Sequence, residues 1–154
     1  MTVVMTTVDI VREVLTLSAS TPSSVTLLTS ALQVLDRDEA AFASIRRNAL
    51  HSSVTARQDY VAVLRTMFSD GIVNWGRIVV MFALAIDVQR YHKIDLQAET
   101  VLIIEDNLHD EWWLGEQRCL DGFVDLTSLQ IAFLLLFVAT AGGFCTTAVA
   151  YLRK

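Results

Sequence analysis

The sequence has few of the residues that mark special chain classes, with 2 Cys, 1 Pro and 6 Gly among 154 residues. Cys119 and Cys145 are too few for a disulfide scaffold, and the low Gly and Pro content excludes collagen-like and low-complexity chains. A net charge of −5 argues against a nucleic-acid-binding module, because such modules neutralise phosphates with a basic surface. The first residues lack the basic region of a signal peptide. We therefore expect a protein of the reducing cytosol.

Catalytic and metal-binding motifs are also lacking. The chain contains no G-x-S-x-G, no H-E-x-x-H and no Gly-rich phosphate loop. His51, His92 and His109 show no ligand spacing relative to one another or to the cysteines. We expect a protein that is not an enzyme and binds neither a metal nor a cofactor.

Apolar residues make up 53% of the chain and recur at helical spacing in successive segments. Residues 78–86 are apolar on every side, which would also suit a buried strand, but Ala, Met and Leu favour a helix and no partner strand is predicted. A helix that is apolar all round belongs at the centre of a bundle. The sequence therefore predicts an all-α helical bundle with a central hydrophobic helix surrounded by amphipathic helices.

The C-terminal segment has no charged residue from 126 to 152, and Arg153 and Lys154 follow it. A run of about 20 apolar residues is long enough to span a bilayer as a helix, which suggests a tail anchor. The alternative is a buried hairpin of two short helices, broken at Gly142 and Gly143. The predicted organisation is a helical domain, residues 1–126, and a hydrophobic C-terminal tail, residues 127–154.

The turn before the apolar helix places a cation, Arg77, in the first turn of that helix. A cation there opposes the helix dipole and asks for a compensating anion. Asn74 can cap the helix, and Gly76 leaves room for another backbone to approach. Two partners for Arg77 are open: the carboxylate of another protein, bound at the mouth of an apolar groove, or an Asp or Glu of this chain.

Two segments resemble homology signatures of the B-cell lymphoma (Bcl) apoptosis-regulator family. The first contains Asp70-Gly71 and Asn74-Trp75-Gly76-Arg77, and the second contains Trp113-Leu114, Gln117-Arg118 and residues 121–126. Their spacing, the helix order and the hydrophobic tail are also similar to that family. The extra residue between Gly71 and Asn74 is most similar to the myeloid-cell-leukaemia and Bfl-type pro-survival members. Small size and a short first loop suggest a viral homologue.

The chain departs from the family pattern in two places. The second signature has Cys119-Leu120 where the family usually has Gly-Trp. The third homology helix usually has Leu, three residues and then Gly-Asp, and its best match here is Leu27 with Ala31 and Leu32, so the acid is missing. This weakens a role as a killer ligand and leaves a receptor role intact, because the receptor supplies Arg77.

The resemblance implies a Bcl-like fold and a pro-survival regulator. Such a protein sequesters amphipathic helices of pro-death family members in a hydrophobic groove and blocks mitochondrial permeabilisation. Arg77 would pair with the ligand's Asp, and Asn74 would bond beside it. The residues expected at the groove are Phe42, Ile45, Tyr60, Val63, Leu64, Met67, Asp70, Asn74, Gly76, Arg77, Val80 and Met81, and each apolar member has a core role as its alternative.

Other functions stay open at this point. A pore-forming pro-death effector of the same fold would insert residues 78–86 and the tail into a membrane, and a helical membrane protein without a groove is a third hypothesis. An exposed apolar groove also suggests a homodimer. The tail would hold the protein in the cytoplasm at the mitochondrial outer membrane or another intracellular membrane, and we expect no nucleic-acid partner.

Overall fold

The computed structural model describes residues 5–108, which form six α-helices. The predicted all-α bundle is confirmed. The second signature and the hydrophobic tail, residues 127–154, lie outside the described residues. The helices are α1, Thr7–Leu15; α2, Pro22–Arg37; α3, Glu39–Asn48; α4, Ala56–Met67; α5, Trp75–His92; and α6, Gln97–Asn107.

The first two helices begin at capping boxes. In α1 the Thr6 side chain accepts from the Asp9 backbone N–H, and the Asp9 side chain accepts from the Thr6 backbone. In α2 the cap is Thr21, whose side chain accepts from the Ser24 backbone N–H. Pro22 occupies the first position of the helix, where a missing N–H costs nothing.

Helix α5 is the centre of the core, as predicted. Every residue from Trp75 to Ile86 is buried, and the helix contacts α1, α2, α3 and α4. Helices α3 and α4 both pack on α5, but they are not among the helix pairs that pack closely on each other. Helix α3 meets the C-terminal half of α5, where Arg46 lies beside Asp87 and Tyr91.

Polar side chains near the end of α5 fix three neighbouring segments. The amide of Gln89 donates to the Leu15 carbonyl at 3.0 Å and accepts from the Leu96 backbone N–H at 2.8 Å. His92 Nε2 lies 2.6 Å from the Leu50 carbonyl oxygen. These contacts join α5 to the end of α1, the start of α6 and the connection between α3 and α4.

Candidate functional site

The turn between α4 and α5 carries the polar residues of the candidate site. Asn74 is the N-cap of α5, as predicted, and its side chain accepts from the Arg77 backbone N–H at 2.9 Å. Gly71 has a φ of 74°, the left-handed conformation that glycine adopts without a steric penalty. This turn brings Asp70 back over the first turn of α5.

Arg77 is buried, and one edge of its guanidinium is occupied by hydrogen bonds within this chain. Nη1 donates to Asp70 Oδ1 at 2.7 Å and Nη2 donates to Asp70 Oδ2 at 2.9 Å. Nη1 also donates to the carbonyls of Met67 and Ile72, at 2.8 and 2.9 Å. The side chains of Arg77 and Asp70 are 3% and 6% exposed. The sequence left two partners open for Arg77, a carboxylate of another protein or an acid of this chain. The structure shows an acid of this chain, Asp70.

A second edge of the same guanidinium is not used by the described residues. Arg77 Nε is buried and has no hydrogen-bond partner among residues 5–108. Nη2 makes a single hydrogen bond there, to Asp70. Because Arg has five N–H donors in a rigid plane, the hydrogens on Nε and Nη2 form a pair that matches the geometry of a carboxylate. We call this pair the free edge of Arg77.

The apolar residues predicted to line a groove are all core residues in this structure. Those on α3, α4 and α5 are at most 7% exposed and belong to the main hydrophobic cluster. In this structure they therefore pack the core, which is the alternative role that the sequence analysis gives them. The residues are Phe42, Ile45, Val63, Leu64, Met67, Val80 and Met81, and Gly76 is buried beside them.

Tyr60 contacts α6. Its hydroxyl lies 2.7 Å from the Thr100 hydroxyl on α6, and both residues are fully buried. Burial raises the pKa of the Tyr60 phenol well above its ordinary value, although the hydrogen bond with Thr100 acts in the opposite direction. Tyr60 therefore joins α4 to α6. Helix α4 packs on both α5 and α6, and its sequence does not show which of its buried residues meets which neighbour.

The pairing of Asp70 with Arg77 was not predicted, although both residues were expected at the site. The signal was present in the sequence: an acid seven residues before the Arg, separated from it by a glycine that allows the chain to turn back. The carbonyls of Met67 and Ile72 gave no such signal, because every residue has one.

Metal binding and membrane crossing have no support in the described residues. Within residues 5–108, no group of three or more His, Cys, Asp or Glu side chains is placed to hold a metal ion. Over the same range no helix combines the length and the apolarity that crossing a membrane requires.

Comparison with known families gives a match over most of the described bundle. The family model for apoptosis regulator proteins of the Bcl-2 family matches residues 27–117, which is more than half of the chain. The matched segment starts in α2 and includes the Asp70–Arg77 turn and all of α5. No solved structure matches the chain.

Proposed function

The chain belongs to the Bcl-2 family of apoptosis regulators, and we propose that within this family it is a pro-survival receptor for the amphipathic helices of pro-death members. The proposed ligand helix lies over α5, between α3 and α4. Its acidic residue pairs with Arg77, and its apolar residues enter among the side chains that now fill the core there.

The free edge of Arg77 is the observation that carries this proposal. A buried polar atom without a partner is costly, and most buried donors in folded proteins are bonded. Arg77 Nε has no partner among the described residues. A ligand carboxylate on Nε and Nη2 would satisfy it while Asp70 keeps the opposite edge. The guanidinium would then bridge two carboxylates.

The packing of the bundle supports an opening at this place. Helices α3 and α4 both rest on α5 without packing closely on each other, so they can separate without disrupting a shared interface. Met67 of α4 and Met81 of α5 are buried in the core, and methionine repacks against varied neighbours more easily than branched residues do. Binding therefore requires a local opening, whose free-energy cost lowers the observed affinity.

The state of α2 supports a receptor over a killer ligand. Leu27 and Ala31, the best match to the third homology helix, are at most 1% exposed, and α2 packs on α5 and α1. A helix with that face in the core is not presented to another protein. Leu32 also stands where the family usually has Asp, so this helix lacks the acid that a killer ligand would offer to a receptor.

We also propose that the hydrophobic tail, residues 127–154, holds the protein on the mitochondrial outer membrane or another intracellular membrane. The uncharged stretch from 126 to 152 supports this location. Fractionation of cells expressing the whole chain or a chain truncated after residue 126 tests it. A truncated protein that stays with the membranes after an alkaline carbonate wash, which removes peripherally bound proteins, would contradict the proposal.

Direct titration with a panel of pro-death helix peptides tests the receptor function. We expect saturable binding by calorimetry, and weaker binding for a matched peptide whose acidic residue is replaced by Asn. In transfected cells given a death stimulus, we expect greater survival. Enhanced killing, or leakage of liposomes by the purified protein without peptide binding, would favour the pore-forming effector and reject this proposal.

A further inference from the structure

A second candidate site lies beside the C-terminal ends of α3 and α5. A cavity of about 360 Å³ is lined there by Ala43, Arg46, Arg47, His51 and Tyr91. We call it the basic pocket, because the side chains that line it include two guanidiniums and an imidazole and no carboxylate. This is unusual in a chain whose net charge is −5.

Arg46 is held in place without using its hydrogen-bond donors. Its guanidinium carbon lies 4.8 Å from the centre of the Tyr91 ring, a cation–π distance. Its Nε lies 3.1 Å from Asp87 Oδ2, but neither atom has a hydrogen-bond partner among the described residues. The side chain is 21% exposed. The contacts therefore fix the position of the guanidinium with its Nε buried beside Asp87, and its two Nη nitrogens make no hydrogen bond to the described residues.

A purely structural role accounts for only part of this arrangement. Cations in the last turn of α3 do complement the helix dipole. However, no described carbonyl accepts a hydrogen bond from Arg46 or Arg47, and Arg47 is exposed without an acidic partner in the part of the chain that the structure describes. The dipole explains why the residues are basic, but it does not explain a cavity with a stacked tyrosine.

Two segments that line the pocket also carry an exposed apolar group. Tyr91 is 59% exposed, and Val54, three residues after His51, is 91% exposed. His92 holds the Leu50 carbonyl, so the connection that carries His51 is tied to the end of α5. Tyrosine and basic side chains together are typical of a surface that touches a bilayer, with the ring at the level of the headgroups. A soluble anion would not need the apolar groups.

We propose that the basic pocket binds the phosphomonoester headgroup of an anionic lipid at a bilayer surface. Arg46 and Arg47 would contact the phosphate, whose charge of about −1.5 to −2 suits two guanidiniums. Tyr91 and Val54 would enter the interface. This site is at the opposite end of α5 from Arg77 and does not depend on the proposed receptor function.

Vesicle binding by the whole protein tests the proposal. Flotation is measured with phosphatidylcholine vesicles, with vesicles that also contain phosphatidic acid, and with phosphatidylserine vesicles of the same surface charge. We expect the tightest binding to phosphatidic acid, and a loss of about fivefold or more for Arg47→Glu on those vesicles. The matched control is Arg65→Glu, an exposed cation on α4 with the same change in charge. Any contribution from the tail is the same in all three proteins.

Several outcomes would overturn the basic pocket as a lipid site. Equal losses for Arg47→Glu and Arg65→Glu would show attraction by overall charge only. Equal binding to phosphatidic acid and phosphatidylserine would remove the preference for a phosphomonoester. If glycerol 3-phosphate bound as tightly as the vesicles in a titration sensitive to Arg47→Glu, a soluble ligand would replace the lipid. A second variant, Tyr91→Ser, removes an exposed ring, and we expect it also to weaken vesicle binding.

Discussion

Asp70 and Arg77 form a bidentate ion pair that joins the end of α4 to the first turn of α5. Both side chains are almost completely buried, and the guanidinium also binds two backbone carbonyls of the connecting turn. The pair therefore fixes the conformation of the turn as well as the position of the cation. The same contacts aim the free edge of Arg77 away from Asp70, because the guanidinium is planar and rigid.

Removing the charge of Arg77 should destabilise the protein strongly. Arg77→Gln leaves Asp70 buried without its counter-ion, and losing one partner of a buried pair costs about 3–5 kcal/mol. Urea denaturation followed by circular dichroism measures the change. The control is Arg65→Gln, an exposed cation, for which we expect a change within about 0.5 kcal/mol. Similar losses in the two variants would show that the ion pair is not important for stability.

A milder substitution separates ligand binding from folding. Arg77→Lys keeps a positive charge near Asp70 but offers a single nitrogen, so it has no free edge. We expect a pro-death peptide with its Asp to bind at least about tenfold more weakly, roughly 1.4 kcal/mol. The same peptide with Asn in place of Asp should lose much less. Calorimetry with both peptides gives the coupling between the two charges. Equal losses for the two peptides would mean that the ligand's acid does not meet Arg77.

Much of the fold follows from local patterns in the sequence. Residues 78–86 are so uniformly apolar that only a central position can bury them, and α5 lies there. The cap at Asn74 also follows from the sequence, because it depends on a single residue type in a known conformation.

The details of the site depend on tertiary contacts that spacing does not encode. Arg77 required an anion, but the choice of Asp70 depends on how the turn folds back. Tyr60, Leu64 and Met67 share a helical spacing, yet Tyr60 contacts α6 because α4 is buried on more than one side. Periodicity predicts that a face is buried and does not predict what covers it.

The hydroxyl pair between Tyr60 and Thr100 should contribute to stability as a unit. Tyr60→Phe leaves the Thr100 hydroxyl buried without a partner, and such a loss costs about 1–3 kcal/mol. Thr100→Val likewise leaves the Tyr60 hydroxyl buried without a partner. The double variant should be more stable than the sum of the single losses predicts, because it removes both polar groups. Unfolding free energies of the four proteins check this, and additive losses would contradict a direct hydrogen bond.

Glu13 should make the connection between α1 and α2 sensitive to acid. Its Oε1 accepts from the Ser20 backbone N–H at 2.8 Å, from the Ser20 hydroxyl and from the Ser24 hydroxyl at 3.4 Å. These bonds, that of the Ser20 hydroxyl first, lower the pKa of Glu13 below its ordinary value of 4.5. A carboxyl whose pKa is lowered by folding stabilises the native state above its unfolded pKa, and this is lost as the pH falls through the folded pKa.

Comparison of the wild type with Glu13→Gln isolates this contribution. We expect the difference in unfolding free energy to be largest near neutral pH and to shrink as the pH falls below about 4.5. Burial raises the pKa of Asp87 and has the opposite effect on the acid dependence, but it is common to both proteins and cancels in the difference. The control is Glu105→Gln, an exposed carboxylate on α6, for which the difference should stay near zero at every pH. A Glu13→Gln difference that does not change with pH would mean that the serines bind the amide as well as the carboxylate, and that the charge of Glu13 does not stabilise the turn.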